Sequence, residues 1–291
     1  MKKHLILVGF IALVFSVALV LAVKPDFAPQ HRQGIIAIPS HAVEVAPGVF
    51  SLGKAIDHGR VVEGYAFIDY KKGFGKQTGC NNDGVCQGWE DASCADCTGG
   101  GEEPTPDTSS CYGFLAKGTK WRTIEPYIVN PVNTRGLDGI FVTSNFASDV
   151  GKWETAAGVE ILGDETTGIV DGADLESPDN KNEVYFADVG YENAIAITIV
   201  WGIFGGPPPF RELVEWDMIF DDVDFDWGIG EAGKMDFENI ATHELGHSVG
   251  LGDLYTSECS EQTMYGYASY GETKKRTLEA GDIAGVQELY S

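Results

Sequence analysis

Residues 242–255 read THELGHSVGLGDLY. Positions i and i+4 of an α-helix share a face, so His243 and His247 can offer two imidazoles to one ion while Glu244 projects alongside. Asp236 stands where an N-cap of that helix belongs. Zinc suits such a pair because it accepts imidazole nitrogen, needs no redox partner and brings the pKa of a bound water near neutrality, leaving Glu244 as the base. The bland alternative is two surface histidines on an amphipathic helix. The pair also lacks a third ligand. Outside residues 1–22, a histidine could come only from His31, His41 or His58, far upstream. A carboxylate could come from Glu279 or Glu288 on a later helix, or from Asp253, where a turn at Gly250 would return the chain.

The rest of the chain sets the compartment. Of 291 residues, 44 are acidic and 20 basic, a formal net charge of −24. That balance argues against nucleic acid or anionic lipid as partners and is compatible with a solvated acidic surface, with calcium ligation, or with both. The N-terminus, MKKHLILVGFIALVFSVALVLAVKPDF, places Lys2 and Lys3 before an apolar run. Residues 1–22 read as a signal peptide cleaved after Ala22, or as an uncleaved membrane anchor. Either way the remainder is expected outside the cytoplasm, secreted or held at the outer face of the membrane, and touches the membrane only in the anchored case.

Six cysteines fit an oxidising compartment. Four lie within CNNDGVCQGWEDASCADC, residues 80–97, a polar stretch too short for a core and read as a disulfide-rich acidic knot. A four-cysteine zinc site is the competing reading. Cys111 and Cys259 are left over and are expected to pair. Residues 98–110, TGGGEEPTPDTSS, have the composition of a linker. Residues 23–79 contain two apolar runs around DHGR, residues 57–60, which suggests a hairpin in a small β-rich module or pro-segment.

The main domain is placed at 111–291. TIEPYIVN (123–130), NEVYFADV (182–189) and AIAITIVWGIF (194–204) read as strands. VEWDMIF (214–220) alternates apolar and acidic residues, as a strand with one buried face does. Val142, Phe146, Val150, Trp153 and Ala157 recur at helical spacing, and helical patterns return at 236–249 and 278–290. The expected fold class is α/β (α+β): a twisted mixed sheet with an active-site helix and a C-terminal helix, preceded by a small β segment and the knot.

HELGHSVGLGD, residues 243–253, resembles the metzincin zinc-binding consensus HExxHxxGxxH with Asp in the last place, and among metzincins the chain is most similar to the matrixins. IFDDVDFDW (219–227), TMYGY (263–267) and TLEAGDIAGVQELY (277–290) resemble, in order, their FD-rich segment, Met-turn and C-terminal helix. The resemblance implies a zincin-type fold, His243, His247 and Asp253 as zinc ligands, Glu244 as general base, Gly250 at the helix break and Met264 beneath the site. It implies hydrolysis of protein or peptide substrates by a zinc-bound water, with the strand near Ala194–Trp201 as the edge on which an extended substrate lies. Asp221, Asp222, Asp224 and Asp226 align with a calcium-binding segment. The thiol switch of matrixin pro-segments, PRCGxPD, is absent. Two other readings stay open: a zinc hydrolase of a non-peptide amide, and a catalytically idle zinc-containing adhesion or binding protein.

Overall fold

The computed structural model describes residues 34–73 and 110–291. The signal or anchor segment (1–22), the knot with Cys80, Cys86, Cys94 and Cys97, and nearly all of the linker therefore lie outside the described residues. The strands are β1 (Val43–Ala46), β2 (Val49–Asp57), β3 (Arg60–Lys71), β4 (Tyr127–Val129), β5 (Glu165–Thr166), β6 (Asn182–Ala187), β7 (Ala194–Ile203), β8 (Glu212–Asp221), β9 (Trp227–Gly228), β10 (Met235–Asp236) and β11 (Tyr267–Ala268). The α-helices are α1 (Gly139–Ala157), α2 (Phe237–Ser248) and α3 (Ala280–Tyr290).

Local chemistry accounts for the helix ends. The Asp138 carboxylate accepts from Ile140 N and Phe141 N, and Gly158 closes α1 in the left-handed conformation. Glu279 and Asp282 form a reciprocal capping box at the start of α3. Val142, Phe146, Val150 and Trp153 supply the buried stripe of α1, which packs on α2 over one face of the sheet.

The main sheet has nine strands in the order β1-β2-β3-β7-β8-β6-β4-β5, with β11 added to β3. From β8 through β6 and β4 to β5 the pairing is parallel; β1 to β2, β2 to β3, β3 to β7 and β7 to β8 are antiparallel. The result is a mixed α/β architecture. Strand β7 is buried from Ala194 to Gly202, because its two faces meet the two apolar clusters on either side of the sheet.

Two expectations are corrected here. Residues 34–73 are not a module separate from 111–291: β2 and β3 form a hairpin through His58 and Gly59, both at positive φ, and β3 pairs with β7 from Glu63 to Tyr70. Consequently β7 is not an edge strand, since β3 takes up the backbone groups that an incoming peptide would need. The linker composition of 98–110 signals a break in the chain, but sheet pairing ignores such breaks when the strands on either side match in apolar pattern.

A third correction concerns β8. Its acidic residues do not face solvent: Glu215 is 0% and Asp217 1% exposed. The segment 171–180 lies over them, because buried carboxylates need donors. Asp217 accepts from Asp174 N at 2.9 Å and Glu183 N at 3.1 Å, Glu215 accepts from Asn180 N, and Glu183 accepts from Asp171 N and Gly172 N. Burial pushes Glu215 up to about 10, with Asp217 and Asp174 adding to it, and Glu183 up to about 7.

Folded pKa values raised above the unfolded ones mean that the native state holds extra protons; this stability is present in mild acid and lost as pH rises through the folded values. We expect chelator-treated protein to lose thermal stability between about pH 5 and 10. Glu215→Gln, neutral and of similar shape, should flatten that slope and raise the melting temperature at the alkaline end, by about 2–4 °C per kcal/mol recovered. Parallel slopes for the two proteins in pH-dependent melting would refute the assignment.

Candidate metal centre

Helix α2 begins at Asp236, whose carboxylate accepts from Asn239 N at 2.9 Å and pairs with Arg276. It is buried along nearly its whole length, held on the α1 side by Trp153 Nε1 donating to Thr242 O at 2.9 Å. His243 and Glu244 are 0% and His247 1% exposed, which rules out the reading of two surface histidines.

Each imidazole is oriented from behind. His243 Nδ1 lies 2.7 Å from Thr263 O and His247 Nδ1 3.0 Å from Leu251 O. A carbonyl only accepts, so both Nδ1 atoms carry a proton and both Nε2 atoms point into the same space, where a metal would take their lone pairs. Asp253 Oδ1 faces them, 3.3 Å from His243 Nε2 and 3.5 Å from His247 Nε2. A tetrahedral zinc site with bonds of about 2.0–2.1 Å has ligand–ligand edges of about 3.3–3.4 Å, close to the two edges that meet at Asp253 Oδ1, and all three atoms lie within 4.8 Å of one another. Among the described residues, His243 Nε2 and Asp253 Oδ1 are buried without hydrogen-bond partners, as metal-facing donor atoms would be.

Burial works against ionisation of Asp253, but the imidazoles beside it overcome that and hold it below the usual carboxylate range. Burial also pushes His247 down, and Asp253 outweighs this to bring it up to about 9. Any metal entering the site competes with that proton.

Gly250 makes the third contact geometrically accessible. Its φ is +107°, and a Cβ there would sit 2.8 Å from Leu289 Cδ2 and 2.9 Å from Thr119 O. The chain can therefore leave α2 sharply and return with Asp253. Met264, 1% exposed, packs on the helix between the histidine turns so closely that a Cβ at Gly246 would fall 2.0 Å from its Sδ. Its loop is held by Asp282, which accepts from Thr263 N and Met264 N at 2.8 and 3.1 Å. The disulfide Cys111–Cys259 ties the start of the 110–291 segment to the same loop.

The rival carboxylates lie elsewhere. Glu279 caps α3, and Glu288 accepts from Tyr112 OH. The four aspartates of the calcium reading are not brought into one ligand group: among the described residues, the convergent groups are His243–His247–Asp253, Asp69–His243–Glu244 and Asp174–Glu215–Asp217. Asp221 is used on backbone, accepting from Val189, Val223 and Asp224. Asp222 holds Thr134 N, and Asp226 pairs with Arg135. Turn aspartates satisfy backbone donors more readily than they gather around one point.

Three neighbours of the site escaped sequence reasoning. Thr198, on β7, donates to Glu244 Oε2 at 2.6 Å; its only signal is a hydroxyl in the middle of an Ala/Ile run. Phe67, on β3, stacks on His247 with centroids 4.5 Å apart. Asp69, two residues on, has a carboxylate oxygen within 4.8 Å of donor atoms of His243 and Glu244. Its signal is a charge on the inward alternation of YAFIDY, visible only once that face is known. Burial raises Glu244 to about 7, against the opposing effect of His243 and His247.

Residues 207–291 match the family model of the matrixin peptidases. The chain is 41% identical over 74 residues to matrilysin of Rattus norvegicus, covering 25% of this chain and 26% of that protein. It is 38% identical over 76 residues to matrilysin of Felis catus, covering 25% and 27%, and 38% identical over 74 residues to that of Homo sapiens, covering 25% and 26%. The chain thus spans about a quarter of the length of the curated relatives it matches. With the buried histidine pair, the glycine turn and this match together, the carboxy-terminal part of the chain is matrixin-like.

Proposed function

We propose that this chain is an exported zinc-dependent endopeptidase acting on protein or peptide substrates. The observation that carries the reading is the convergence of His243 Nε2, His247 Nε2 and Asp253 Oδ1 at 3.3 and 3.5 Å, with the Glu244 carboxylate beside them. Bound zinc would supply a Lewis acid for the scissile carbonyl and a water of lowered pKa. The chain supplies the rest. Glu244, fixed at Oε2 by Thr198, keeps Oε1 without a hydrogen-bond partner among the described residues, so that oxygen can take the proton of the attacking water and pass it to the leaving amine. A carboxyl brought to about 7 by burial suits both halves of that transfer.

The same machinery would open a non-peptide amide, and the peptidase reading is preferred because an extended strand, β3, lies antiparallel along β7 beside the site, the kind of backbone pairing an extended peptide would make. Glu244 weighs against a catalytically idle binding protein. Export, to the outside or to the outer membrane face, is supported by the N-terminal stretch and by the Cys111–Cys259 disulfide. No calcium role is proposed for Asp221, Asp222, Asp224 and Asp226.

The test uses a peptide library with the metal-loaded and the chelated chain, before and after trace trypsin treatment at exposed Lys72 behind β3. Cleavage that stops with chelator and returns with zinc is expected in at least the nicked preparation. Its absence from both overturns the reading.

A further inference from the structure

We propose that Tyr255 is the positioning residue of the third ligand: its hydroxyl engages Asp253 Oδ2, so that the carboxylate meets the metal through Oδ1 alone and leaves a coordination position for water. This rests on the metal-centre reading above and deepens it.

The two oxygens of Asp253 have different surroundings. Oδ1 faces His243 Nε2 and His247 Nε2 at 3.3 and 3.5 Å and has no hydrogen-bond partner among the described residues. Oδ2 accepts from the Tyr255 hydroxyl at 3.1 Å. A carboxylate can hold a cation through one oxygen or through both, and nothing in an aspartate side chain chooses between them. A zinc that works on water needs three protein ligands and one open place. A second carboxylate oxygen entering the shell would take that place, and the hydroxyl on Oδ2 keeps it out.

The hydroxyl is aimed by chain geometry and then fixed by packing. Leu254 forms a parallel bridge with Tyr265, Leu254 N donating to Met264 O at 2.8 Å and Gly266 N to Leu254 O at 2.9 Å. In such extended backbone, residues i and i+2 project to one side. Asp253 and Tyr255 therefore share a side, while Leu254 packs on the main core. The Tyr255 ring lies on Gly266, where the three nearest atoms that a Cβ would meet are its Cε1, Cζ and hydroxyl oxygen at 2.5, 2.9 and 3.1 Å. Tyr267 meets the ring edge-on, with centroids 5.4 Å apart. The residues that pin the phenol thus belong to the loop whose Thr263 carbonyl orients His243.

A purely structural role competes with this one, because the same hydroxyl reaches Pro47 O at 3.0 Å in the turn between β1 and β2. Both partners only accept, and a phenol has one proton to give. The ionised carboxylate is the stronger acceptor. Each of the three ligands then has a partner behind it: Thr263 O for His243, Leu251 O for His247 and the Tyr255 hydroxyl for Asp253. The first two fix which imidazole nitrogen faces the ion, and the third fixes which carboxylate oxygen does.

Cobalt substitution of the full chain tests this without an activity assay. Cobalt binds in place of zinc, and its visible bands lose intensity when the shell goes from four ligands to five. Tyr255→Phe removes the hydroxyl and keeps the ring. Its cobalt bands should weaken as the freed Oδ2 joins the shell, and zinc should bind more weakly by about tenfold or more, the loss that follows removal of an outer-shell partner. Bands unchanged in position and intensity overturn the proposal whatever the affinity does, because a variant merely loosened in its packing would hold less metal without altering the shell of the metal it holds. Gly266→Ala retains the hydroxyl and displaces the ring, so its bands should weaken in the same direction; unchanged bands there overturn the proposal even if Tyr255→Phe does not fold. The two readings fail separately: absence of stoichiometric cobalt binding in the unaltered chain, or its survival in His243→Ala, removes the metal centre itself, whereas unchanged bands in a variant that binds cobalt remove only the role of Tyr255.

Discussion

Asp253→Ala is expected to lower the affinity for zinc by about 10²-fold or more, since loss of even an outer-shell partner costs about 10–100-fold. Glu279→Ala should leave affinity unchanged. The contrast follows from position. Asp253 Oδ1 stands within 3.5 Å of both ligand nitrogens and has no hydrogen-bond partner among the described residues, while Glu279 is engaged in the α3 capping box. Removing Asp253 leaves two imidazoles, too few for a structural or a catalytic zinc site. It also frees the Tyr255 hydroxyl to donate wholly to Pro47 O. The fold should survive, because Gly250 and the Leu251 carbonyl that orients His247 are untouched. Competition against a chromophoric chelator reads both affinities, and wild-type affinity in Asp253→Ala would end the assignment of this residue as a ligand.

Glu244→Gln should separate binding from chemistry. Zinc stays bound, because Glu244 is outside the His243–His247–Asp253 set, while peptide hydrolysis in the nicked preparation falls by about 10²-fold or more through loss of the base. The substitution is close to isosteric, and Thr198 can still donate to the amide oxygen, so a folding defect would not explain the loss. It also removes the ionisation of a buried carboxyl that sits at about 7, so the metal-free variant should be no less stable than the parent above neutral pH. Zinc content and turnover measured on the same sample decide it; near-normal turnover would assign proton transfer to another group.

What the sequence by itself determined lies in short-range order. The spacing of His243, Glu244 and His247 is a statement about one helix, and the Gly250 turn that brings back Asp253 spans only a few residues; both follow from backbone geometry that does not wait on the rest of the fold. The apolar spacing of α1 and the Ile alternation of β7 are legible for the same reason, since burial repeats with the period of the element.

Only the tertiary structure decided which strand lies beside which. Alternation shows that a strand has a buried face and is silent about its partner, so β3 could be read as part of a separate hairpin and β7 as an open edge. The acidic alternation of β8 looked solvent-facing because nothing in VEWDMIF tells of the segment 171–180 whose backbone donors cover Glu215 and Asp217. Asp221, Asp222 and Asp226 were legible as acidic, but where each carboxylate points is settled by local backbone donors and by Arg135. Thr198 and Asp69 acquire meaning in the same way. They are 46 and 174 residues before Glu244 and His243 in the chain, and only the β3–β7 pairing over α2 brings them to the site. Contacts made by sheet pairing are long-range, and a sequence read segment by segment carries no record of them.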